Sequence, residues 1–378
     1  MKIGIITIHN SPNYGACLQS YALWKYLDMQ GHDVEIIDLY RPFQKEYVWS
    51  KKYKSYTKNS SYRSIFSTLV RKVKLKNKIQ RTFSEEAFLK FHKFNSLIRL
   101  SKAYKGIDEL YADPPLYDLY ISGSDQLWNP TQPYCLEPYF LTFAPPGSKK
   151  ISFSTSIGDT NIPERVKCDF KKWLDDYAAI SVREKQGKAL LESFIDKEIY
   201  QVADPTFLLE QQSWKSLATM PSFKKPYILL FALQHNQSLF DYVRKIAKEC
   251  NKHLFYLCQV VESEDSENCT IINNAGIEEF LGYVAKADLL ITESFHGTVF
   301  ALLMGSRNFY AYIATNNKRG SRIEDLLSPF GLSEHILRGK LDLSYADLEK
   351  KQIDIYRNDS VIKSLRNNAI AFIHQHIY

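Results

Sequence analysis

Glu293-Ser294-Phe295-His296-Gly297-Thr298 is the segment of this 378-residue chain whose side chains are best suited to chemistry. The apolar run Asp288-Leu289-Leu290-Ile291-Thr292 precedes it, and the mostly apolar stretch Gly297 to Met304 follows. That order predicts a strand, a sharp turn and a helix, with His296 at the helix N-terminus beside a glycine that admits close approach of a ligand. Imidazole changes charge near neutrality, so it can hold or move a proton. A lone histidine is usually structural. One at a strand-to-helix switch beside Glu293 and Ser294 is a candidate catalytic acid or phosphate partner.

Three other loops fall at expected strand ends. Gly123-Ser124-Asp125-Gln126-Leu127-Trp128-Asn129 gathers hydrogen-bonding side chains behind a glycine. Asp125 there is a candidate base for a sugar hydroxyl, with Ser124, Gln126 and Asn129 as polar contacts and the Trp128 ring as an apolar face. The alternative is an ordinary helix cap, since Ser and Asp are favoured at that position. Asn13-Tyr14-Gly15-Ala16 leads into a helix, and its backbone N–H groups could receive an anion; the alternative is a tight turn. It has neither of the glycine-rich patterns that cradle nucleotide phosphates. Arg183 ends a third strand and could clamp a carboxylate or phosphate with its two-pronged guanidinium. Its alternative is an ion pair with Glu184 or Asp204. Downstream, Lys318, Arg319 and Arg322 form a weaker basic set that could equally be a solvated turn.

The elements that position these loops read as α/β throughout. Ile3–Ile8, a helix from Ala16 to Gln30, and Val34–Leu39 form a parallel βαβ unit. Strands are expected at 117–123, 150–155 and 177–182, with a helix over 185–194 and helical sequence over 83–111. Residues 1–209 thus form an N-terminal Rossmann-like lobe and 210–225 a linker with Pro221 and Pro226 as breakers. Residues 226–378 form a second such lobe, whose strands are expected at 227–232, 254–260, 288–292 and 309–313. Its last helix, 362–377, is expected to pack back on the N-terminal lobe. Open α/β sheets place ligands at the C-terminal ends of their strands, where all four loops lie.

Residues 41–81 interrupt the first lobe. From Lys45 to Arg81 there are twelve Lys or Arg against the single acid Glu46. That local charge of +11 leaves −4 for the rest of a chain whose net charge is +7. The basic character is therefore local, which argues against a nucleic-acid-binding protein. Residues 65–79 could form a basic amphipathic helix, and the insertion could meet an anionic membrane surface or be a solvated loop. Hydrophobic residues make up 45% and charged residues 24%, an ordinary globular composition. The N-terminus reads as a buried strand, not a signal peptide, and no apolar stretch approaches a membrane span. Six scattered cysteines without a Cys-x-x-Cys pair suggest neither zinc nor disulfides, so a cytoplasmic setting is expected, and the membrane alternative for the insertion would make the protein peripheral at the inner face of the cell membrane.

Taken together, the segments resemble the polysaccharide pyruvyl transferase family. The matching pieces, in the family's order, are Asn13-Tyr14-Gly15-Ala16 with Leu18 to Leu23, Gly123 to Asn129, Val182-Arg183-Glu184, Asp204-Pro205-Thr206, Ser294-Phe295-His296-Gly297, and Ser321 to Leu327. The resemblance implies a glycosyltransferase-B-like fold, two facing Rossmann-like lobes here carrying a basic insertion in the first. It implies transfer of pyruvate from phosphoenolpyruvate onto a sugar or lipid-linked saccharide as a cyclic ketal, in capsule or exopolysaccharide synthesis. His296 would be the acid or phosphate partner, Asp125 the base, and Arg183 and Arg322 the anion clamps; no metal or redox cofactor is required. One position departs. Two residues before the histidine, the family's better-characterised branch often has an arginine that contacts phosphoenolpyruvate, and this chain has Ser294. Either Lys318, Arg319 or Arg322 substitutes, or the donor differs. A glycosyltransferase with a nucleotide-sugar donor is the second reading, with Glu293 as the ribose contact; a non-catalytic binder of anionic glycans or membranes is the third.

Overall fold

Every residue from Ile3 to Ile6 is buried, and the strand they form is the centre of the first sheet. In the computed structural model, residues 1–53, 55–56, 84–233, 235–258, 268–315, 320–339, 341–351 and 353–377 are described. Most of the basic insertion, including the helix expected over 65–79, lies outside them, as do Lys318 and Arg319.

The chain divides into two units. The first comprises residues 1–80, 95–208 and 365–378. Its elements in chain order are β1 (Lys2–Ile6), α1 (Tyr14–Met29), β2 (Asp33–Ile36), α2 (Glu85–Asn95, counted to Phe94 with the second unit), α3 (Ile107–Ala112), β3 (Leu119–Ser122), β4 (Lys149–Ser152), α4 (Glu164–Leu174), β5 (Ile180–Val182), α5 (Lys185–Glu192) and β6 (Ile199–Gln201). The parallel sheet runs β2-β1-β3-β4, and single bridges from Ile151 to Ala179 and from Thr155 to Val182 join the β5-β6 pair to it. The helix expected over 83–111 is two helices, because Leu100 and Tyr104 between them bridge to Ile36 and Leu39 at the sheet edge.

The second unit comprises residues 81–94 and 209–364. It contains α6 (Gln211–Leu217), β7 (Tyr227–Ala232), α7 (Gln237–Glu249), β8 (His253–Cys258), β9 (Cys269–Ile272), α8 (Ile277–Lys286), β10 (Leu289–Thr292), α9 (Phe295–Leu303), β11 (Phe309–Ile313), α10 (Ser321–Leu327), β12 (Ile336–Arg338), α11 (Tyr345–Glu349) and α12 (Ile355–Ile377). Its six-stranded parallel sheet runs β12-β11-β10-β7-β8-β9. β7, β10 and β11 are buried along their whole length, as continuous Leu/Ile/Tyr/Phe runs between helical layers must be.

The units differ from the expected lobes in three places. Residues 209–225 count with the second unit instead of standing between the two, and within this mostly exposed stretch Trp214 of α6 is fully buried against Phe300. Residues 81–94 also count with the second unit. The final helix starts at Ile355, and its residues from Leu365 count with the first unit, where Phe372 meets Phe153 and Tyr200. β6, β9 and β12 are short edge strands that the apolar pattern does not mark. Among the described residues, no helix is long and apolar enough to cross a membrane.

Candidate active site

In the first sheet the strand order reverses between β1 and β3: β2 lies to one side of β1, while β3 and β4 lie to the other. Loops leaving neighbouring strands on opposite sides of a sheet open a crevice at such a point. The segments that leave β1 and β3 are Thr7–Asn13 and Gly123–Asn129, so two candidate loops flank it. In the second sheet the reversal lies between β7 and β10. There Thr292 pairs with Phe231, and His235 and His296 each follow four residues beyond that pair.

Asp125 is the most distinctive residue of the first rim. Its φ is +72°, in the left-handed region that a non-glycine residue occupies at a cost, aspartate less than most. Local hydrogen bonds hold it there: its carbonyl accepts from the N–H of Ser156 at 2.9 Å and from that of Leu127 at 2.7 Å. The turn leaves the side chain half-buried, and among the described residues the carboxylate makes no hydrogen bond or ion pair. Backbone strain at a strand end that presents such a group is characteristic of functional sites. Ser154, next along the rim beyond β4, has φ +54°.

Beside Asp125 lies a buried charge network. The Arg183 guanidinium donates to Asp204 Oδ2 at 2.7 Å through Nη1 and to Glu184 Oε1 at 3.1 Å through Nε. Ser156 Oγ donates to Glu184 at 2.6 Å, and the Thr206 N–H and Oγ1 donate to Asp204 at 3.1 and 2.8 Å. Burial would lower the Arg183 pKa, but the Glu184, Asp204 and Asp125 carboxylates outweigh it and hold the guanidinium charged. The expected ligand clamp is therefore a structural ion pair, the alternative its neighbours allowed. Ser124 is also buried and committed, its Oγ donating to the Ser154 carbonyl at 2.7 Å.

Trp128 requires a correction. It is 0% exposed, stacked on Phe140 at 4.8 Å and 11°, with its N–H donated to the Tyr139 carbonyl at 3.1 Å. It is core, not a face for a sugar ring. Asn129 is likewise buried and internal: Nδ2 donates to Gln126 Oε1 at 2.9 Å, and Oδ1 accepts from the Thr131 N–H and Oγ1 at 2.9 and 2.7 Å. Gln126 is half-buried, with its amide oxygen engaged by Asn129. Asn13 caps α1, its Oδ1 accepting from the Ala16 N–H at 3.1 Å. Tyr14 and Gly15 form the buried first turn of that helix. This loop is thus a cap, as its turn alternative held.

Three residues of the first rim escaped the sequence reading. His9, fully buried, places Nε2 3.0 Å from Asp38 Oδ1 and Nδ1 3.4 Å from the Thr7 carbonyl. Asn10 Nδ2 donates to Asp38 and Gln44 at 3.3 and 3.2 Å. Arg41 lies with its guanidinium 4.5 Å from the Tyr134 ring centroid. His9 follows β1 and Asp38 lies just past β2, so position after a strand was the available signal; Arg41 was absorbed into a segment read only for its charge.

In the second rim, Ser294 caps α9, accepting from the Gly297 N–H at 3.2 Å, and its own N–H donates to Thr292 Oγ1 at 3.1 Å. A serine there fixes the turn that projects His296. His296 is the second residue of α9 and 8% exposed, with its ring edge-on to Phe295 at 5.2 Å. Gly297 has a different purpose from the expected one. A Cβ on it would lie 2.4 Å from Thr292 Oγ1 and 2.7 Å from Phe231, so the glycine lets α9 approach the sheet instead of a ligand. Glu293 is half-buried. Burial raises the Tyr256 hydroxyl pKa, with Cys258 and then Glu293 adding to it. His235, also missed, sets Nδ1 3.1 Å from that hydroxyl and Nε2 2.9 Å from Gln237 Oε1. Arg322 is half-buried in the first turn of α10, which follows the neighbouring strand β11; Arg319 lies outside the described residues. Among the described residues, no group of three His, Cys, Asp or Glu is placed to hold a metal ion.

Two Rossmann-like units with candidate groups at both strand reversals define a glycosyltransferase-B-like α/β protein. The chain is similar to AviGT4, a glycosyltransferase involved in avilamycin A biosynthesis, at TM-score 0.51 and 11% identity over 100% of this chain and 97% of that one. It is also similar to UDP-GlcNAc 2-epimerase of Methanocaldococcus jannaschii (TM-score 0.48, 12% identity, 97% and 93% covered) and to MurG of Acinetobacter baumannii (TM-score 0.42, 10% identity, 99% and 98% covered). At these identities the likeness is one of fold. No curated protein matches the sequence. Residues 13–308 match the model of the polysaccharide pyruvyl transferases, and the chain belongs to that family. It is accordingly a transferase.

Proposed function

We propose that this transferase moves pyruvate from phosphoenolpyruvate onto a sugar as a cyclic ketal, in capsule or exopolysaccharide synthesis on the cytoplasmic side of the membrane. Family membership over 13–308 carries the reading. The geometry that supports it is the strained, half-buried Asp125 at one reversal and the helix-start His296 at the other.

The reaction asks for an acid and a base. Protonation of the methylene carbon of phosphoenolpyruvate makes C2 electrophilic. A sugar hydroxyl adds there and gives up its proton, the C–O bond to phosphate breaks, and a second hydroxyl closes the ketal. Two hydroxyl protons are lost; one balances the new methyl group and the other leaves with phosphate. No oxidation state changes overall, so no redox cofactor is called for. His296 is assigned the proton donor or phosphate contact and Asp125 the base. With Ser294 serving as a helix cap, Arg322 is the described cation of the second rim assigned to the donor's anionic groups.

Incubation with phosphoenolpyruvate and candidate sugars, following phosphate release, tests the reading. Acceptor-dependent phosphate and a pyruvylated sugar are expected; phosphate formed at an equal rate without acceptor would overturn it. The half-buried Glu293 keeps a nucleotide-sugar donor as the second reading. Thermal stabilisation by a nucleotide sugar and not by phosphoenolpyruvate would favour that one.

A further inference from the structure

The first rim holds two opposite charges that do not meet. Arg41 follows β2 in a turn closed by the Gln44 N–H donating to its carbonyl at 2.9 Å. Its own N–H donates to Gln44 Oε1 at 2.6 Å, and Asn10 from the loop after β1 donates to the same oxygen at 3.2 Å. The turn is therefore fastened at its backbone. The side chain is half-buried and lies over Tyr134, with Phe43 at 5.8 Å on another side. Its Nε is sealed from solvent without a hydrogen bond, and among the described residues the guanidinium makes no hydrogen bond or ion pair. Arg99 and Arg338, by contrast, pair with acids at the surface, and Arg183 pairs in the core.

Tyr134 connects Arg41 to Asp125. Its hydroxyl donates to the carbonyl of Gln126, the residue after Asp125, at 3.2 Å. Burial raises the pKa of that hydroxyl, Arg41 lowers it and Asp125 raises it again, so both charges lie within electrostatic reach of one phenol. A guanidinium resting over an aromatic ring without a hydrogen bond keeps donors that suit two oxygens of a phosphate. A carboxylate without a donor suits a hydroxyl. The ligand that satisfies both carries an anion and a free hydroxyl on one small framework.

We propose that Arg41 receives a phosphate of the acceptor whose hydroxyl faces Asp125, so that the acceptor is a phosphorylated saccharide. This rests on the pyruvyl transfer reading for the identity of the acceptor, but the binding it asserts is separately measurable. The phosphate could belong to a soluble sugar phosphate, a nucleotide sugar or a lipid-linked diphosphate sugar.

Calorimetric titration of the full chain with glucose, glucose 1-phosphate, UDP-glucose and a polyprenyl-diphosphate glucose in micelles tests it. Binding is expected for phosphorylated probes and not for glucose, and the tightest phosphorylated probe identifies the source. Arg41→Gln should weaken that binding tenfold or more, and Arg41→Lys, which keeps the charge but not the fork, by less. Arg99→Gln, at a surface arginine paired with Asp33 and Glu35, should leave it unchanged. Glucose binding as tightly as its phosphates, or either Arg41 variant binding them like the parent, would overturn the assignment. If Arg41→Gln does not fold, the Lys variant and the probe comparison in the parent still decide. Loss of the pyruvyl transfer reading would show differently, as no phosphate release from phosphoenolpyruvate with any acceptor, while Arg41-dependent binding persisted.

Discussion

The rim of the first unit and the rim of the second hold their polar residues by opposite means. In the first, charge is fixed by charge: Arg183 sits between Glu184 and Asp204, the Ser156 hydroxyl shares its Glu184 oxygen, and the Thr206 hydroxyl takes the Asp204 oxygen it leaves over. In the second, a neutral cap does the work, with Ser294 closing the first turn of α9 and Gly297 bringing that turn onto the sheet. A buried ion network is costly to break because each lost partner strands another charge. A hydroxyl cap is neutral, so losing it strands no charge and costs little. The sequence motifs look equally polar, yet in the first rim most of that polarity is scaffold, with Asp125 and Arg41 left over, while in the second the scaffold is light.

Substitutions at Arg183 and His296 should therefore separate stability from activity. Arg183→Ala, which leaves two carboxylates buried without their partner, is expected to destabilise the protein by about 3–5 kcal/mol in denaturant titrations. His296→Gln should lower turnover by about 10²–10⁴-fold, the range of a lost general acid, with a melting temperature close to the parent. A stable Arg183→Ala or an unfolded His296→Gln would collapse the distinction between the rims.

Asp125 lies between the two cases, as a strained residue in the scaffolded rim. Asp125→Gly relieves the left-handed backbone and should raise stability by up to about 1 kcal/mol while turnover falls about 10²-fold or more. Asp125→Asn keeps a residue that tolerates this φ and should lose the activity without the gain. Stability gained without loss of turnover would remove Asp125 from the chemistry.

Ser294→Ala should cost about 1 kcal/mol, the usual value of a helix cap, measured by the shift in denaturation midpoint. A much larger loss would mean that the second rim is as heavily scaffolded as the first. The smallest effect concerns the thiols near the first rim. Burial pushes Cys17 and Cys135 up to about 12, so at pH 8 a thiolate fraction on the order of 10⁻⁴ leaves both inert, while the exposed Cys168 reacts. Rapid labelling of Cys17 in the native protein, read by mass spectrometry, would show that the α1 end of this rim opens.

The apolar runs determined by themselves that this is a parallel α/β chain with two sheets, because a strand covered on both faces must be apolar throughout and a covering helix must repeat with its own period. They located β7 and β11 to the residue and put His296 and Asp125 at strand ends. Short edge strands such as β6 and β12 carry no such run, since an edge buries less and its pattern is weaker. What only the tertiary structure decided is the employment of each polar side chain. Arg183, Trp128 and Asn129 looked like ligand contacts, but their partners Asp204, Phe140 and Gly158 lie 21, 12 and 29 residues away along the chain, and come together only when β3 to β6 align. Asp125 and Arg41 are the reverse. The strain of one and the unmet donors of the other are properties of a folded neighbourhood, because hydrogen-bond satisfaction depends on what surrounds a group in space and not on what precedes it in the chain.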